Sequence, residues 1–199
     1  MTTQTQAADV AGVPAGPDDR TLIAAVAGGD EGAFGTLVRR WSGRLFAAAH
    51  RILGSRADAE DAVQRALLQV FRSAPSYRPE WAVSTWLYRI TTNQCVDELR
   101  RRGARREVAG ESAPATAGAG DGGASFGLRL DVRRALRKVP REARILLILC
   151  YAEGLSYREM ARVRGIKVNT VKSQIARGKS ILRAALEGER GAGGKDGAR

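Results

Sequence analysis

The chain has 199 residues, enough for one domain or two small ones, and carries 33 Lys and Arg against 21 Asp and Glu, a net charge of +12 with pI near 10.7. That excess favours a polyanionic partner, and no apolar run approaches the length of a membrane span, so a membrane is not the expected polyanion. Cys95 and Cys150 lack CxxC spacing, and His50 is the single histidine, so neither a zinc site nor a disulfide framework is expected.

Residues 1–17 are rich in Ala, Gly, Thr and Pro without any period and read as a disordered tail, as do residues 188–199. The opening Met-Thr-Thr-Gln-Thr-Gln lacks the basic-then-apolar pattern of a signal peptide, so a cytoplasmic location is expected. Asp18 or Asp19 offers a cap for a short helix with Leu22, Ile23 and Val26 on its inner side. Asp30 precedes Phe34, Leu37, Val38, Trp41, Leu45 and Ile52, which describe one long amphipathic helix ending at Gly54. His50 falls late in that helix as a structural residue. Ser55 and Asp58 signal the next start, followed by Val63, Ala66, Leu67, Val70 and Phe71 on one stripe. After a loop between Pro75 and Pro79, Ser84 opens a helix through Trp86, Leu87 and Ile90 towards Leu99.

From 103 to 125 the apolar period disappears under Gly, Ala, Ser, Pro and Thr, the composition of a flexible linker. A coil of about 25 residues spans roughly 25–30 Å on average and about 80 Å at full stretch. The expected organisation is therefore all-α: a helical domain over 18–102, a linker over 103–125, and a second helical domain over 126–187. The second unit has a helix through Leu130 and Leu136, a break at Pro140, and an apolar helix around Ile145 to Tyr151.

The run from Gly154 to Arg177 fills the positions of a helix-turn-helix. Ser156 and Glu159 match a capping box, Met160 and Val163 suit a core, and small Ala161 lets a second helix cross closely. Gly165 suits the turn, where a positive φ is cheap without a Cβ. Val171 and Ile175 then lie on the buried side of the second helix. Lys167, Asn169, Thr170, Lys172, Ser173, Gln174 and Arg177 supply donors and acceptors suited to base edges and phosphates. An ordinary αα-hairpin with a solvated basic face is the blander alternative, and the combined spacing of Ala161, Gly165 and Val171 favours DNA reading over it.

Two other faces carry chemistry. Arg89, Asn93, Asp97 and Arg100 or Arg101 recur at i, i+4, with Trp81, Trp86 and Tyr88 near the start of the same helix. Aromatics beside a basic face suit unstacked bases, although each tryptophan taken singly fits a small core equally well. Asp58, Glu60, Asp61, Gln64, Arg65 and Gln69 form an acidic, amide-rich face on a basic protein, either solvated or a docking surface for a protein. There is no metal-like pair of carboxylates, no nucleophile with a base, and no GxxxxGK loop, so no enzyme and no cofactor is expected.

Taken in order, Asp58 to Gln64, Thr85 to Arg101, and Gly154 to Ser173 resemble the motifs of bacterial sigma factors of the sigma-70 family, in the extracytoplasmic-function (ECF) group. The resemblance covers nearly everything between Asp18 and Leu186. It implies that Asp58, Glu60, Asp61, Gln64 and Arg65 dock on core RNA polymerase through its beta and beta-prime subunits. It implies that Trp86, Arg89, Asn93, Asp97, Arg100 and Arg101 melt and read the promoter −10 element. It assigns the −35 element to Lys167, Asn169, Thr170, Lys172, Ser173, Gln174 and Arg177, and it implies an anti-sigma partner. Arg65 stands where the family usually has an acidic residue, and Asn169 replaces a common glycine.

Overall fold

The computed structural model describes residues 17–109, 132 and 134–193, and every element among them is helical. The expected tail up to residue 16 and the residues 110–131 expected in the linker and the start of the second unit lie outside the described residues.

Helix α1 spans Asp19–Ala27 and is capped by Asp18, whose carboxylate accepts from the Thr21 amide at 2.7 Å. That backbone hydrogen bond holds the Asp18 carboxyl below the usual carboxylate range. Asp19 instead reaches α2, spanning Glu31–Leu53, where it pairs with Arg40 at 2.6 Å and accepts from the Trp41 indole at 3.0 Å. Asp30 caps α2 through the Ala33 amide, and the helix closes on a left-handed Gly54. His50 stacks on Phe46 with ring planes 3° apart, a packing role. Helix α3, Arg56–Ser73, starts from Ser55 and buries Ala59, Ala62, Val63, Ala66 and Val70 against its neighbours. Pro75 sits in a short 3-10 turn, Ala74–Ser76, before α4, Val83–Ala109.

Helix α4 does not stop where the linker was expected to begin. It continues through residues 103–109 despite Gly103. One helical glycine costs about 1 kcal/mol, and the Ala, Arg and Glu residues around it are good helix formers. Composition was a poor guide here because the segment has helix formers without an apolar period.

In the second group, residues 134–138 are helical and Pro140 separates them from α5, Arg141–Tyr151. Helix α6, Tyr157–Arg164, and α7, Val168–Gly193, complete the fold; residues 188–193, expected in the C-terminal tail, continue α7, and residues 194–199 lie outside the described residues. Leu146, Leu149, Met160, Val163, Val171 and Ile175 are buried together between these helices. Gly178 marks the closest approach of α7 to α5: a Cβ there would lie 3.0 Å from Leu147 Cδ1 and 3.2 Å from the Ala143 methyl. The two groups are not separate bodies. Helix α4 packs on α6 and α2 on α5, and the buried side chains form one continuous cluster.

Cys95 is fully buried in α4, and burial pushes its thiol up to about 12. Cys150 is only half-buried. At pH 8 a thiol reagent is expected to label Cys150 in the native protein and to leave Cys95 unmodified until the chain unfolds; mass spectrometry of the labelled peptides checks this. Denaturation measurements test the packing. Gly178→Ala is expected to destabilise the fold by about 1–3 kcal/mol through overpacking. Gly43→Ala in α2, where a Cβ meets nothing within 4 Å, is expected to stabilise it by about 0.5–1 kcal/mol.

Candidate nucleic-acid and protein interfaces

The helix-turn-helix is built as its residue pattern requires. The Ser156 hydroxyl accepts from the Glu159 amide at 3.3 Å, and the Glu159 carboxylate accepts from the Ser156 amide at 2.8 Å. Gly165 takes φ 65°, ψ 33°, the left-handed conformation that turns the chain from α6 into α7. Buried Val171 and Ile175 fix the rotation of α7 about its own axis. Lys167, Asn169, Thr170, Lys172, Ser173 and Arg177 are consequently exposed together, while Gln174 is half-buried. Asn169 is the second residue of α7, inside the first turn rather than ahead of the helix, so its side chain adds to the exposed polar face. The first turn of a helix also presents amide hydrogens and the positive end of its dipole, which suit phosphate.

On α4 the residues singled out for −10 reading divide. Trp86 is 9% exposed and packs against Tyr77 with ring centroids 5.1 Å apart, so it belongs to the core. Trp81 is more open, and the Arg89 guanidinium lies 4.9 Å from its ring centroid. Trp81, absent from the proposed DNA-reading set, is therefore the more exposed of the two, half-buried and with Arg89 over its ring. Its position ahead of the helix start, outside the apolar stripe, was the available signal. Asn93, Asp97, Arg100 and Arg101 follow on the exposed side, with Asp97 3.5 Å from Arg100. The Asn93 side-chain oxygen accepts from Arg164 of α6 at 3.3 Å.

The acidic face of α3 is also only partly what its residue types suggest. Asp61 and Gln64 are exposed, and Glu60 is engaged only by Arg56 one turn earlier, at 2.9 Å. Asp58 is ion-paired with Arg102 of α4. Arg65 is turned inward, 3.1 Å from Glu98 of α4. Glu98 is buried and has Arg65, Arg101 and Arg102 around it, the last two at 3.4 and 3.7 Å. A buried carboxylate needs such compensation, and Arg65 supplies part of it. Leu68, 54% exposed, joins Asp61 and Gln64 on the outer face. It follows buried Ala66 and half-buried Leu67, and a 3.6-residue period cannot place Leu67 and Leu68 on the same side.

Among the described residues no helix is long and apolar enough to cross a membrane. Residues 37–105 match the family model for sigma-70 region 2, and residues 129–182 match that for sigma-70 region 4. The chain is 38% identical to the ECF RNA polymerase sigma factor SigE of Mycolicibacterium smegmatis, the match covering 85% of this chain and 70% of that protein. It is 31% identical to the ECF RNA polymerase sigma-E factor of Escherichia coli, covering 82% of this chain and 92% of that protein. Its fold resembles that of CnrH, solved in complex with the cytosolic domain of CnrY, with a TM-score of 0.65 and 29% identity over 85% of this chain and 97% of that one. It also resembles the sigma factor RpoE of Bartonella quintana, solved with the anti-sigma factor NepR, with a TM-score of 0.67 and 26% identity over 77% of this chain and 96% of that one. With both sigma-70 regions matched in order and relatives aligned over most of their length, the chain belongs to the ECF group of RNA polymerase sigma factors.

Proposed function

We propose that this chain directs promoter-specific transcription by holding core RNA polymerase through α3 while α4 and α7 engage the −10 and −35 elements. The observation that carries the reading is the uncompensated polar and basic face of α7, from Lys167 to Arg177, oriented by buried Val171 and Ile175. Such a face on the second helix of a helix-turn-helix fits the major groove of duplex DNA. On α4, Arg89, Asn93, Arg100 and Arg101 hold the displaced −10 strand, with the Trp81 ring as a stacking surface. Extruding a base costs a few kcal/mol, recovered by stacking and hydrogen bonds in the protein. Asp61, Gln64 and Leu68, flanked by Glu60, form the polymerase-docking patch. Asp58 and Arg65 act within this scheme by tying α3 to α4. The chain itself catalyses nothing; RNA synthesis is the work of polymerase in the cytoplasm. An anti-sigma protein is a further partner, supported by the anti-sigma factor NepR bound to the structural relative from Bartonella quintana.

Transcription in vitro with core polymerase, with and without this protein, on fragments of its own genome tests the proposal. Transcripts starting at defined promoters only when the protein is present are expected. Binding to core without any transcript would identify a sequestering protein, and tight duplex binding without core would identify a free-standing regulator. Lys172→Ala and Arg177→Ala are expected to weaken −35 duplex binding and to lower the salt slope by about 1 for each phosphate no longer neutralised. Leu68→Ala is expected to weaken core binding by about 1–2 kcal/mol with −35 affinity unchanged, read in parallel titrations of core and of duplex.

A further inference from the structure

Arg158 and Arg162 stand four apart in α6, so both side chains leave the same side of the helix. Like charges at that spacing repel. Glu159, the one carboxylate of α6, is taken by the Ser156 amide and hydroxyl at 2.8 and 2.7 Å. Arg89 of α4, with its guanidinium 4.9 Å from the Trp81 ring centroid, adds a third positive charge opposite them. These four side chains, with Ile166 and Val168, line a cleft of about 530 Å3 that has no acidic residue in its lining. Val168 also opens α7, which brings the positive end of that helix's dipole to the cleft.

Arginines at the other helix junctions are matched by carboxylates: Arg40 by Asp19, Arg51 by Glu153, Arg65 by Glu98, and Arg164 by Glu142. Arg89, Arg158 and Arg162 form no ion pair among the described residues. Guanidinium groups gathered without a counter-charge favour an anion between them. The volume falls within the roughly 300–1,000 Å3 of small-ligand sites.

The two walls ask for different chemistry. Arg158 and Arg162 present planar forks that match phosphate oxygens. Trp81 and Arg89 present flat surfaces on which an aromatic ring can stack, beside apolar Ile166 and Val168. A ligand that uses both walls is flat and aromatic at one end and multiply charged at the other. One turn beyond Arg89, Asn93 accepts from Arg164 of α6 at 3.3 Å, so the walls meet there. The cleft therefore suits a compact ligand better than a continuous strand.

We propose that this cleft is a site for a free nucleoside polyphosphate, its base beside Trp81 and Arg89 and its phosphates on Arg158 and Arg162. The site requires no particular role for α3 or for the exposed face of α7, so it stands or falls separately from the promoter-directed reading.

Calorimetric titration of the full chain with ATP, and with inorganic triphosphate and adenosine as its two halves, tests the site. ATP is expected to bind one-to-one and about tenfold tighter than triphosphate, the scale of one stacked base, with no measurable binding of adenosine. Arg158→Ala/Arg162→Ala is expected to weaken ATP by about tenfold or more through loss of charge-assisted contacts. Both residues are exposed, so the fold is not at stake in that variant. Lys172→Ala/Arg177→Ala removes the same charge from α7 and is expected to leave ATP affinity within about twofold. Trp81→Ala is expected to lower ATP to the affinity of triphosphate. Absence of ATP binding would overturn the site, as would triphosphate binding as tightly as ATP. Equal weakening by the α6 and α7 pairs would reduce the binding to general attraction for polyanions and overturn it too. A single-stranded oligonucleotide without terminal phosphates that displaces ATP, and that the α6 pair weakens to the same degree, would make the cleft a strand-binding surface and overturn the free-nucleotide assignment.

Discussion

Helix α4 is packed on three sides, and the rest of the molecule is arranged around that constraint. It lies against α2, α3 and α6 at once, with Leu87, Tyr88, Ile90, Cys95 and Val96 buried along it. Thr85, Thr91 and Thr92 are buried as well, in a helix that has polar residues nearly all round. Thr92 donates to the carbonyl of Tyr88 at 2.7 Å, one turn earlier, whereas the buried Thr91 hydroxyl has no hydrogen-bond partner among the described residues. This lets short β-branched side chains sit where larger apolar ones would hold the neighbouring helices apart. The same helix therefore serves as core for the first group, as docking surface for the second, and as carrier of the residues proposed to read the −10 strand.

Electrostatics follow from how that helix is neutralised. The chain is strongly basic as a whole, yet two arginines at the α3–α4 junction are spent internally: Arg65 and Arg102 flank Glu98, and Arg102 also meets Asp58, while Arg101 touches Glu98 and stays exposed. The face of α7 has no such carboxylates among its exposed residues from Lys167 to Arg177. Net charge announces a polyanionic partner, but local pairing decides which surface is free to meet it. The departure at Arg65 has a physical account on this basis. A basic residue there compensates a buried glutamate on the neighbouring helix and leaves Asp61, Gln64 and Leu68 on the outer face of α3.

Helices with one apolar stripe and a capped start were legible in the residues alone: Asp30 to Gly54, Ser55 to Phe71, and the Ser156–Glu159 box leading to Gly165. These are local signals, set by 3.6-residue periodicity and by orphan amides at helix starts. The far end of α4 was not legible, because residues 103–109 carry neither an apolar stripe nor a capping signal to mark it. Trp86 and Trp81 illustrate the limit at the site. Both are aromatic and near a basic run, and only three-dimensional packing shows that Tyr77 packs on the buried first while the second is half-buried beneath Arg89. The contacts of Glu153 with the Arg51 guanidinium and the Tyr88 hydroxyl were equally invisible, since these partners lie 102 and 65 residues away in sequence and carry no pattern that points to it.

The most direct test of the account is permanganate footprinting of a promoter bound by core polymerase and this protein, comparing the unaltered chain with Asn93→Ala. Unpaired −10 thymines reactive to permanganate, together with a protected −35 duplex, are predicted for the unaltered chain. Asn93→Ala is predicted to keep the −35 protection and lose the reactivity. Loss of both signals together in the variant, or no reactive thymine with the unaltered chain, would contradict the division of labour between α4 and α7.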